Sequence, residues 1–216
     1  MSVIPIKPLE LMKDENLTKF EFSDFIGVWE NFMPESVCQR FIDLFENVYA
    51  NDSVVEVDEE ALMDGEQQFS TGAMGRSDSA LMVNYVSSDL VYACYQYLQA
   101  CVKHYIDKYS QLRSVPMCSA DVKMQKTTPG GGYHMWHYES SSFECSHREL
   151  VWAIYLNDMP EGEAETEFLY QRRRIRPTAG TVVIWPAAMT HVHKGNTVFT
   201  KDKYILTGWY IKMPTR

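Results

Sequence analysis

The second half of the chain contains the stretch Lys203-Tyr204-Ile205-Leu206-Thr207-Gly208-Trp209-Tyr210. It is rich in β-branched and aromatic residues, and this composition predicts a strand over residues 203–212. Successive residues of a strand point to opposite faces, so Lys203, Ile205, Thr207 and Trp209 share one face. The strand therefore aims a cation and a hydroxyl into an otherwise apolar cavity.

Similar segments precede this strand and predict that the second half of the chain is β. After Pro116, helical spacing gives way to short β-branched and aromatic runs separated by turn residues. Eight short antiparallel strands suit a jelly roll, in which the inner faces of two sheets form a shallow cavity. The predicted strands lie near 117–126, 132–139, 149–156, 166–171, 173–176, 181–185, 190–194 and 203–212.

The first half of the chain carries two helical patterns. Apolar residues from Val37 to Val48 follow the helical period after Pro34. A second helix is predicted over about 89–109, with Ser87 or Ser88 as its cap. The expected fold class is therefore mainly β with α, with the N-terminal helices packed on one sheet. We expect one domain over 1–216, with a helical part over 1–115 and a jelly-roll core over 116–216.

Composition and charge limit the function classes. With 45% hydrophobic and 13% aromatic residues among 216, the chain is typical of a folded protein and not of a disordered one. The net charge of −9 disfavours nucleic acid and anionic membranes as partners. No signal pattern or stretch of about 18 apolar residues occurs, so we expect a cytoplasmic protein without a membrane span. An acidic run from Asn51 to Glu66 predicts a solvated loop, with a substrate-facing lid as the alternative.

The five cysteines are read as reduced thiols. Their number is odd and they contain no Cys-x-x-Cys pair. Cys94 and Cys101 are seven residues apart in the second helical pattern, which places both on one face. We predict that these two cysteines pack in the core.

A histidine and a carboxylate in the β half indicate a metal site. His137 and Glu139 are two residues apart, so a strand would point both into one cavity. Either His191 or His193, from another strand, would complete two imidazoles and one carboxylate, a set that leaves coordination positions open. Oxygen chemistry requires open positions, but a hydrolytic zinc site can use the same ligands. Strand histidines can also be structural, so these residues alone leave all three interpretations open.

Lys203 distinguishes between these interpretations. A buried lysine without an anion is costly, so a lysine on the cavity face favours a bound carboxylate ligand. A zinc hydrolase would give Lys203 no role. The alternative is an exposed lysine at the strand end, with its stem along the surface.

Several segments together resemble the Fe(II)- and 2-oxoglutarate-dependent dioxygenases, in particular their prolyl-4-hydroxylase-like branch. The segment Gly131–Glu139 is similar to the Gly-Gly-x-Tyr-x-x-His-x-Asp pattern of that family, shortened by one residue between Gly and Tyr and with Glu139 in place of Asp. His193, followed ten residues later by Lys203 and then by Trp209, resembles the distal histidine, the 2-oxoglutarate lysine and the closing strand. The likeness covers about the last hundred residues.

The resemblance implies a double-stranded β-helix, a cofactor and roles for individual residues. Fe(II) would be held by His137, Glu139 and His193. Lys203 would pair with the distal carboxylate of 2-oxoglutarate, while Tyr133 and Thr207 would donate hydrogen bonds to the same carboxylate. The ten-residue spacing to Lys203 favours His193 over His191 as the distal ligand.

The resemblance also implies a reaction. With O2, the enzyme would hydroxylate a C–H bond of a peptidyl, amino-acid-like or small-molecule substrate and release succinate and CO2. Whether ascorbate is also needed stays open. The alternatives are a zinc-dependent hydrolase and a non-catalytic jelly-roll binding module, in which the Glu139 variant has lost catalysis.

Overall fold

A computed structural model describes residues 19–50, 55–58 and 76–214 of the chain. Two α-helices lie in these residues, α1 over Glu35–Tyr49 and α2 over Ser88–Lys108. The strands are β1 Phe20–Ser23, β2 Ile26–Trp29, β3 Val55–Asp58, β4 Arg76–Met82, β5 Met117–Cys118, β6 Lys123–Thr127, β7 Gly132–His137, β8 Arg148–Tyr155, β9 Thr166–Phe168, β10 Arg173–Ile175, β11 Val182–Pro186, β12 His193–Gly195 and β13 Lys203–Lys212.

The strands join into one curled antiparallel sheet. Along the sheet the order is β1-β2-β11-β8-β13-β6-β4-β7-β12-β9-β10, with β3 beside β4 and β5 beside β13. The curl brings β7 and β12 across from β8 and β13, and these strands line one cavity. The predicted jelly roll is confirmed by this architecture.

The central strands separate two cores by simple alternation. On β8, Val151, Ala153 and Tyr155 are buried on the cavity side, while Trp152 and Ile154 are buried on the helix side. A strand buried on both faces consists of apolar residues throughout, as β8 does from residue 150 onwards.

Gly208 of β13 allows a close approach on the helix side. A Cβ at this position would lie 2.3 Å from the ring of Trp152 and 2.6 Å from the carbonyl oxygen of Asp121. Both distances are far below van der Waals contact, so only a glycine fits here. Packing on the face away from the cavity therefore explains why residue 208 of β13 is a glycine.

The two helices cover the outer face of the sheet, as predicted. The side chain of Ser87 accepts a hydrogen bond from the N–H of Leu90, and this contact caps α2. Cys94 and Cys101 are fully buried between α2 and the sheet, which confirms that they pack in the core. Among the described residues, no helix combines the length and apolarity needed to cross a bilayer.

The structure differs from the expected element pattern at three places. Within the part of the chain that the structure describes, four strands occur before residue 116, and β4 among them has the polar sequence RSDSALM, which carries no strand signal. Pairing with β6 and β7 holds β4 in the sheet. The predicted strand over 117–126 is divided into β5 and β6, and the one over 190–194 begins only at His193 because Met189–His191 forms a 3-10 turn.

The predicted acidic loop falls partly on a strand. Of the segment from Asn51 to Glu66, residues 55–58 form β3, which pairs with β4. The rest of that segment, with the alternative of a lid, lies outside the described residues.

Candidate active site

A cavity of about 370 Å³ opens between the curled strands. Lys203, Ile205, Thr207 and Trp209 all line it, as their shared face on β13 predicts. Lys203 and Trp209 are the first and the last of the β13 residues that line the cavity. The two residues therefore mark opposite ends of the cavity.

Three potential metal ligands converge at the Trp209 end. His137 of β7 lies directly opposite His193 of β12 in the antiparallel register. The Nε2 atoms of His137 and His193 lie 3.5 and 3.7 Å from Oε1 of Glu139. Among the described residues, these three form the cluster of histidine and carboxylate side chains whose ligand atoms lie within 4.8 Å of one another. We call His137, Glu139 and His193 the metal end of the cavity.

Backbone contacts orient both histidines of the metal end. Nδ1 of His137 lies 2.9 Å from the carbonyl oxygen of Met135, and Nδ1 of His193 lies 2.9 Å from that of His191. A carbonyl oxygen can only accept, so each Nδ1 carries the proton and each Nε2 presents its lone pair to the centre. This arrangement is typical of metal-binding histidines, whose second nitrogen is held by a neighbouring acceptor.

Glu139 is held although it lies beyond the end of β7. Its N–H donates to the carbonyl oxygen of Ala187. Its Oε2 accepts hydrogen bonds from Nη1 of Arg148 and Nε1 of Trp209, both at 2.9 Å. The remaining oxygen, Oε1, faces the histidines.

The charge of Glu139 is stabilised by its neighbours. Burial favours the neutral carboxyl, but the hydrogen bonds and charges that His137 and His193 provide when their Nε2 atoms are protonated, in the absence of a metal, outweigh it, so the pKa of Glu139 lies well below its usual range. Glu139 is therefore a carboxylate at neutral pH, the form that binds a metal.

His191, the rival for the distal position, points away from the metal end. Its Nε2 lies 2.8 Å from the carbonyl oxygen of Asp24, and its Nδ1 lies 3.0 Å from Oγ1 of Thr190. Both ring nitrogens thus have partners elsewhere. His191 belongs to the 3-10 turn and not to β12, so the rule that residues two apart on a strand face the same side does not apply to His191 and His193.

Lys203 lies at the opposite end of the cavity, which we call the lysine end. The residue is only 6% exposed. Nζ donates to the carbonyl oxygen of Ala164 at 2.7 Å and lies 5.6 Å from the ring centroid of Tyr155. Burial lowers the pKa of Lys203 to about 8, while the charges of Glu165 and Asp78 oppose this shift. The alternative of an exposed lysine at the strand end is therefore wrong.

Tyr133 and Thr207 both line the cavity. The ring of Tyr133 stacks on His137, with centroids 3.9 Å apart and planes inclined by 21°. The hydroxyl of Thr207 donates to Oε1 of Gln125 at 3.0 Å, so in this arrangement its proton does not point at a ligand. The structure thus places both residues in the cavity but directs the Thr207 proton to the protein.

The donor set fits a divalent transition metal. Two neutral imidazoles and one carboxylate that converge from one side are typical of non-haem Fe(II) oxygenase sites, which keep open positions. The oriented Nε2 atoms and the ionised Glu139 are present in the structure itself, so these residues fit the predicted ion.

Comparison with known protein families decides the class. The 2OG-Fe(II) oxygenase superfamily matches this chain over residues 122–211, a segment that contains the metal end and the lysine end. Residues 122–211 belong to the 2OG-Fe(II) oxygenase superfamily. The predicted 2-oxoglutarate-dependent oxygenase is thereby confirmed, together with the Fe(II), 2-oxoglutarate and O2 that this class uses. No curated protein matches the sequence of this oxygenase.

Solved structures show the same fold as this oxygenase. A prolyl-4-hydroxylase of Pseudomonas putida is 16% identical, with a TM-score of 0.64 over 93% of this chain and 97% of that one. A Trichoplax adhaerens prolyl hydroxylase, solved with a peptide fragment of the hypoxia inducible factor oxygen degradation domain, is 15% identical, with a TM-score of 0.65 over 88% and 84%. A viral collagen prolyl hydroxylase of Paramecium Bursaria Chlorella virus-1 is 16% identical, with a TM-score of 0.60 over 87% and 96%. At these identities, the likeness establishes the fold.

Sequence reasoning missed Arg148 of the oxygenase. Cavity-facing residues of β8 have odd numbers, so alternation would place Arg148 on the helix side. The register between β8 and β13 shifts between Tyr210 and Ile211, and this irregularity brings Arg148 opposite Ile211. A register shift changes the face on which a side chain lies, and Arg148 lines the cavity.

Trp185 is a second missed residue. It lines the cavity and lies 5.1 Å, between ring centroids, from His193. Trp185 and Val183 are two residues apart on the predicted strand 181–185, so strand alternation could have identified Trp185 as a residue of the cavity side.

Proposed function

We propose that the protein is a hydroxylase that oxidises a C–H bond of a peptidyl, amino-acid-like or small-molecule substrate. The observation that carries this proposal is the position of the metal end and the lysine end in one cavity. A hydrolytic metal site would need only the first. A chelating keto acid with a distant second carboxylate needs both.

The residues of the two ends have different tasks in this reaction. Nε2 of His137, Nε2 of His193 and Oε1 of Glu139 would hold the ion from one side, and the positions on its other side would stay open to the reactants. The ammonium of Lys203 binds the distal carboxylate of 2-oxoglutarate in a charge-assisted contact. When bound, the iron and the keto acid supply the oxidising power. One O2 and one 2-oxoglutarate would be consumed; one oxygen atom would enter the C–H bond, the other would enter the succinate, and succinate and CO2 would leave.

The apolar cavity wall protects this chemistry. Val151, Ala153 and Ile205 line the cavity between its polar ends. Side chains of this kind exclude water, which strengthens electrostatic contacts and limits side reactions. The protein therefore orients the reactants and keeps the oxidant away from solvent.

A peptidyl group is the substrate class that we favour. Prolyl hydroxylases share the fold, and the Trichoplax enzyme was solved with a peptide fragment. The net charge of −9 disfavours polyanionic substrates. Because one fold hosts many activities, a peptide library and an amino-acid panel should be tested side by side.

The first test needs no substrate. Metal-free protein is titrated with Fe(II) and then 2-oxoglutarate without oxygen, while the visible charge-transfer band of the chelated keto acid is recorded. We expect a band in the wild type that is absent in Glu139→Ala. O2 is then admitted with candidate substrates, and succinate is measured.

Other outcomes of this test would support the alternatives. Tight zinc binding without the band would favour the zinc-dependent hydrolase. A band without succinate, for every substrate tried, would favour the non-catalytic binding module.

A further inference from the structure

The carboxylate ligand of this oxygenase has an extra methylene group. Glu139 stands where the family pattern has an aspartate, so its side chain has one more rotatable bond. Unless the protein restrains it, a glutamate side chain loses more rotamer freedom than an aspartate side chain when it binds a metal. A misplaced donor also weakens a metal site, because the geometry must be held closely. The protein therefore needs a device that fixes Glu139.

We infer that Arg148 and Trp209 form a clamp that positions Glu139 as a one-oxygen ligand. Both donate to the same atom, Oε2, each at 2.9 Å. Nη1 of Arg148 also lies 3.2 Å from the backbone oxygen of Glu139. The guanidinium thus ties the side-chain carboxylate to its own main chain. This inference rests on the proposed function, because it assigns a metal to Oε1.

The two donors of the clamp also hold each other. The guanidinium carbon of Arg148 lies 3.8 Å from the ring centroid of Trp209, a distance typical of a cation–π contact. Arg148 is bonded at one edge to Glu139 and packed against an aromatic face. A lysine could replace the charge but not this planar contact.

The clamp determines how many oxygens Glu139 gives to the metal. Oε2 already accepts two hydrogen bonds, whereas Oε1 faces the Nε2 atoms at 3.5 and 3.7 Å. One-oxygen binding leaves three positions of an octahedral ion, two for a chelating keto acid and one for O2. Two-oxygen binding would leave one position too few. Arg148 and Trp209 are therefore positioning residues that keep the third position open.

The clamp and a simple charge effect predict opposite changes in metal affinity when Arg148 is replaced. A guanidinium near a divalent cation repels it, so if charge alone mattered, the removal of Arg148 would tighten metal binding. If Arg148 positions the ligand, its removal weakens metal binding, by about 10- to 100-fold as for other outer-shell partners. The direction of the change therefore decides between the two.

The experiment is a double-mutant cycle on metal affinity. Fe(II) is titrated anaerobically into the wild type, Arg148→Met, Glu139→Asp and the double variant. We expect Arg148→Met to weaken binding about 10- to 100-fold in the wild type but less than about threefold in Glu139→Asp, because the shorter carboxylate loses the clamp. Arg174→Met is the matched control, since Arg174 is exposed on β10 and pairs with Glu167. It should leave the affinity unchanged.

A spectrum tests the one-oxygen geometry without turnover. The Co(II)-loaded protein is titrated with 2-oxoglutarate, and its visible absorption reports the coordination number. Trp209→Phe keeps an aromatic ring for Arg148 but removes the N–H, so it tests the clamp with less disturbance of packing. We expect both Trp209→Phe and Arg148→Met to change the Co(II) spectrum. Circular dichroism melting checks that each variant is folded.

Three results would overturn the clamp: unchanged or tighter metal binding in Arg148→Met, equal losses in the two backgrounds, or a Co(II) spectrum that neither variant alters. Failure of the wild type to bind Fe(II) would instead refute the proposed function. If Arg148→Met does not fold, the Trp209→Phe affinity and spectrum decide alone.

Discussion

The metal end and the lysine end of the cavity differ in how fully the protein satisfies their polar groups. At the metal end, the chain itself supplies partners: both Nδ1 atoms have backbone acceptors, and Oε2 of Glu139 has two donors. At the lysine end, a buried ammonium has one backbone acceptor and an aromatic ring. The charges of Glu165 and Asp78 support this ammonium only in part, because burial still lowers the pKa of Lys203 to about 8. The protein has therefore organised one end in advance and left the other short of an anion.

This difference has an energetic meaning. A buried cation that is incompletely paired is costly, so Lys203 destabilises the ligand-free protein. A carboxylate that binds to Lys203 removes this cost, which favours its binding. The hydrogen-bonded histidines and Glu139 carry little such cost, because their unused atoms are the ones that face the metal. Metal affinity should therefore depend on protein contacts, whereas 2-oxoglutarate affinity should depend mainly on the charge of Lys203.

The largest effect is expected when the metal end loses a ligand. His193→Ala should weaken Fe(II) binding by more than the roughly 10- to 100-fold typical of outer-shell changes, because a coordinating atom is removed. His191→Ala should largely keep the metal, since both nitrogens of His191 bind elsewhere. Anaerobic Fe(II) titration measures both. Equal losses, or the reverse order, would show that the distal ligand is misassigned.

The next largest effect separates the two ends. Lys203→Met keeps the stem but removes the charge, and 2-oxoglutarate affinity should fall by about 2–5 kcal/mol, as for a buried charge pair that loses one partner. Metal affinity should change little. Separate calorimetric titrations of Mn(II) and of 2-oxoglutarate test this. An unchanged 2-oxoglutarate affinity would remove Lys203 from the binding site.

A pH titration sharpens the same contrast. The pKa of Lys203 is lowered to about 8, so in the empty protein its charge is present below this pH and is lost above it. Binding a carboxylate then requires a proton, and 2-oxoglutarate affinity should fall as pH rises above 8, by at most about tenfold per pH unit. Calorimetry between pH 7 and about 9.5 measures the slope. Lys203→Arg stays charged and should flatten it, while an equally steep slope in that variant would assign the effect to another group.

The smallest effect lies outside the cavity. Ser87→Ala removes the cap of α2 and should lower the free energy of unfolding by about 1 kcal/mol. Urea denaturation measures this loss. Metal and 2-oxoglutarate affinities should stay at wild-type values, because α2 packs on the outer face. A parallel loss of either affinity would show that the two faces of the sheet are energetically coupled.

Local pattern accounts for the parts of the molecule that were predicted well. The helices appear as predicted because their apolar stripes and the Ser87 cap are local signals. β13 covers residues 203–212 as predicted, and its alternation places Lys203 and Trp209 on the cavity face. β4 was missed because its polar sequence becomes a strand only through its partners.

The candidate site divides in the same way. The sequence alone indicated the ligand types of His137 and Glu139 and the cavity face of Lys203, because these are properties of residue identity and strand period. The spacing to Lys203 favoured His193 over His191, but the physical reason lies in the tertiary structure: a turn directs the ring of His191 to Asp24 and Thr190, whereas His193 pairs with His137 at the metal end. Arg148 likewise reaches Glu139 through a register shift between two strands. Such choices depend on contacts between residues far apart in the chain, and no local pattern encodes them.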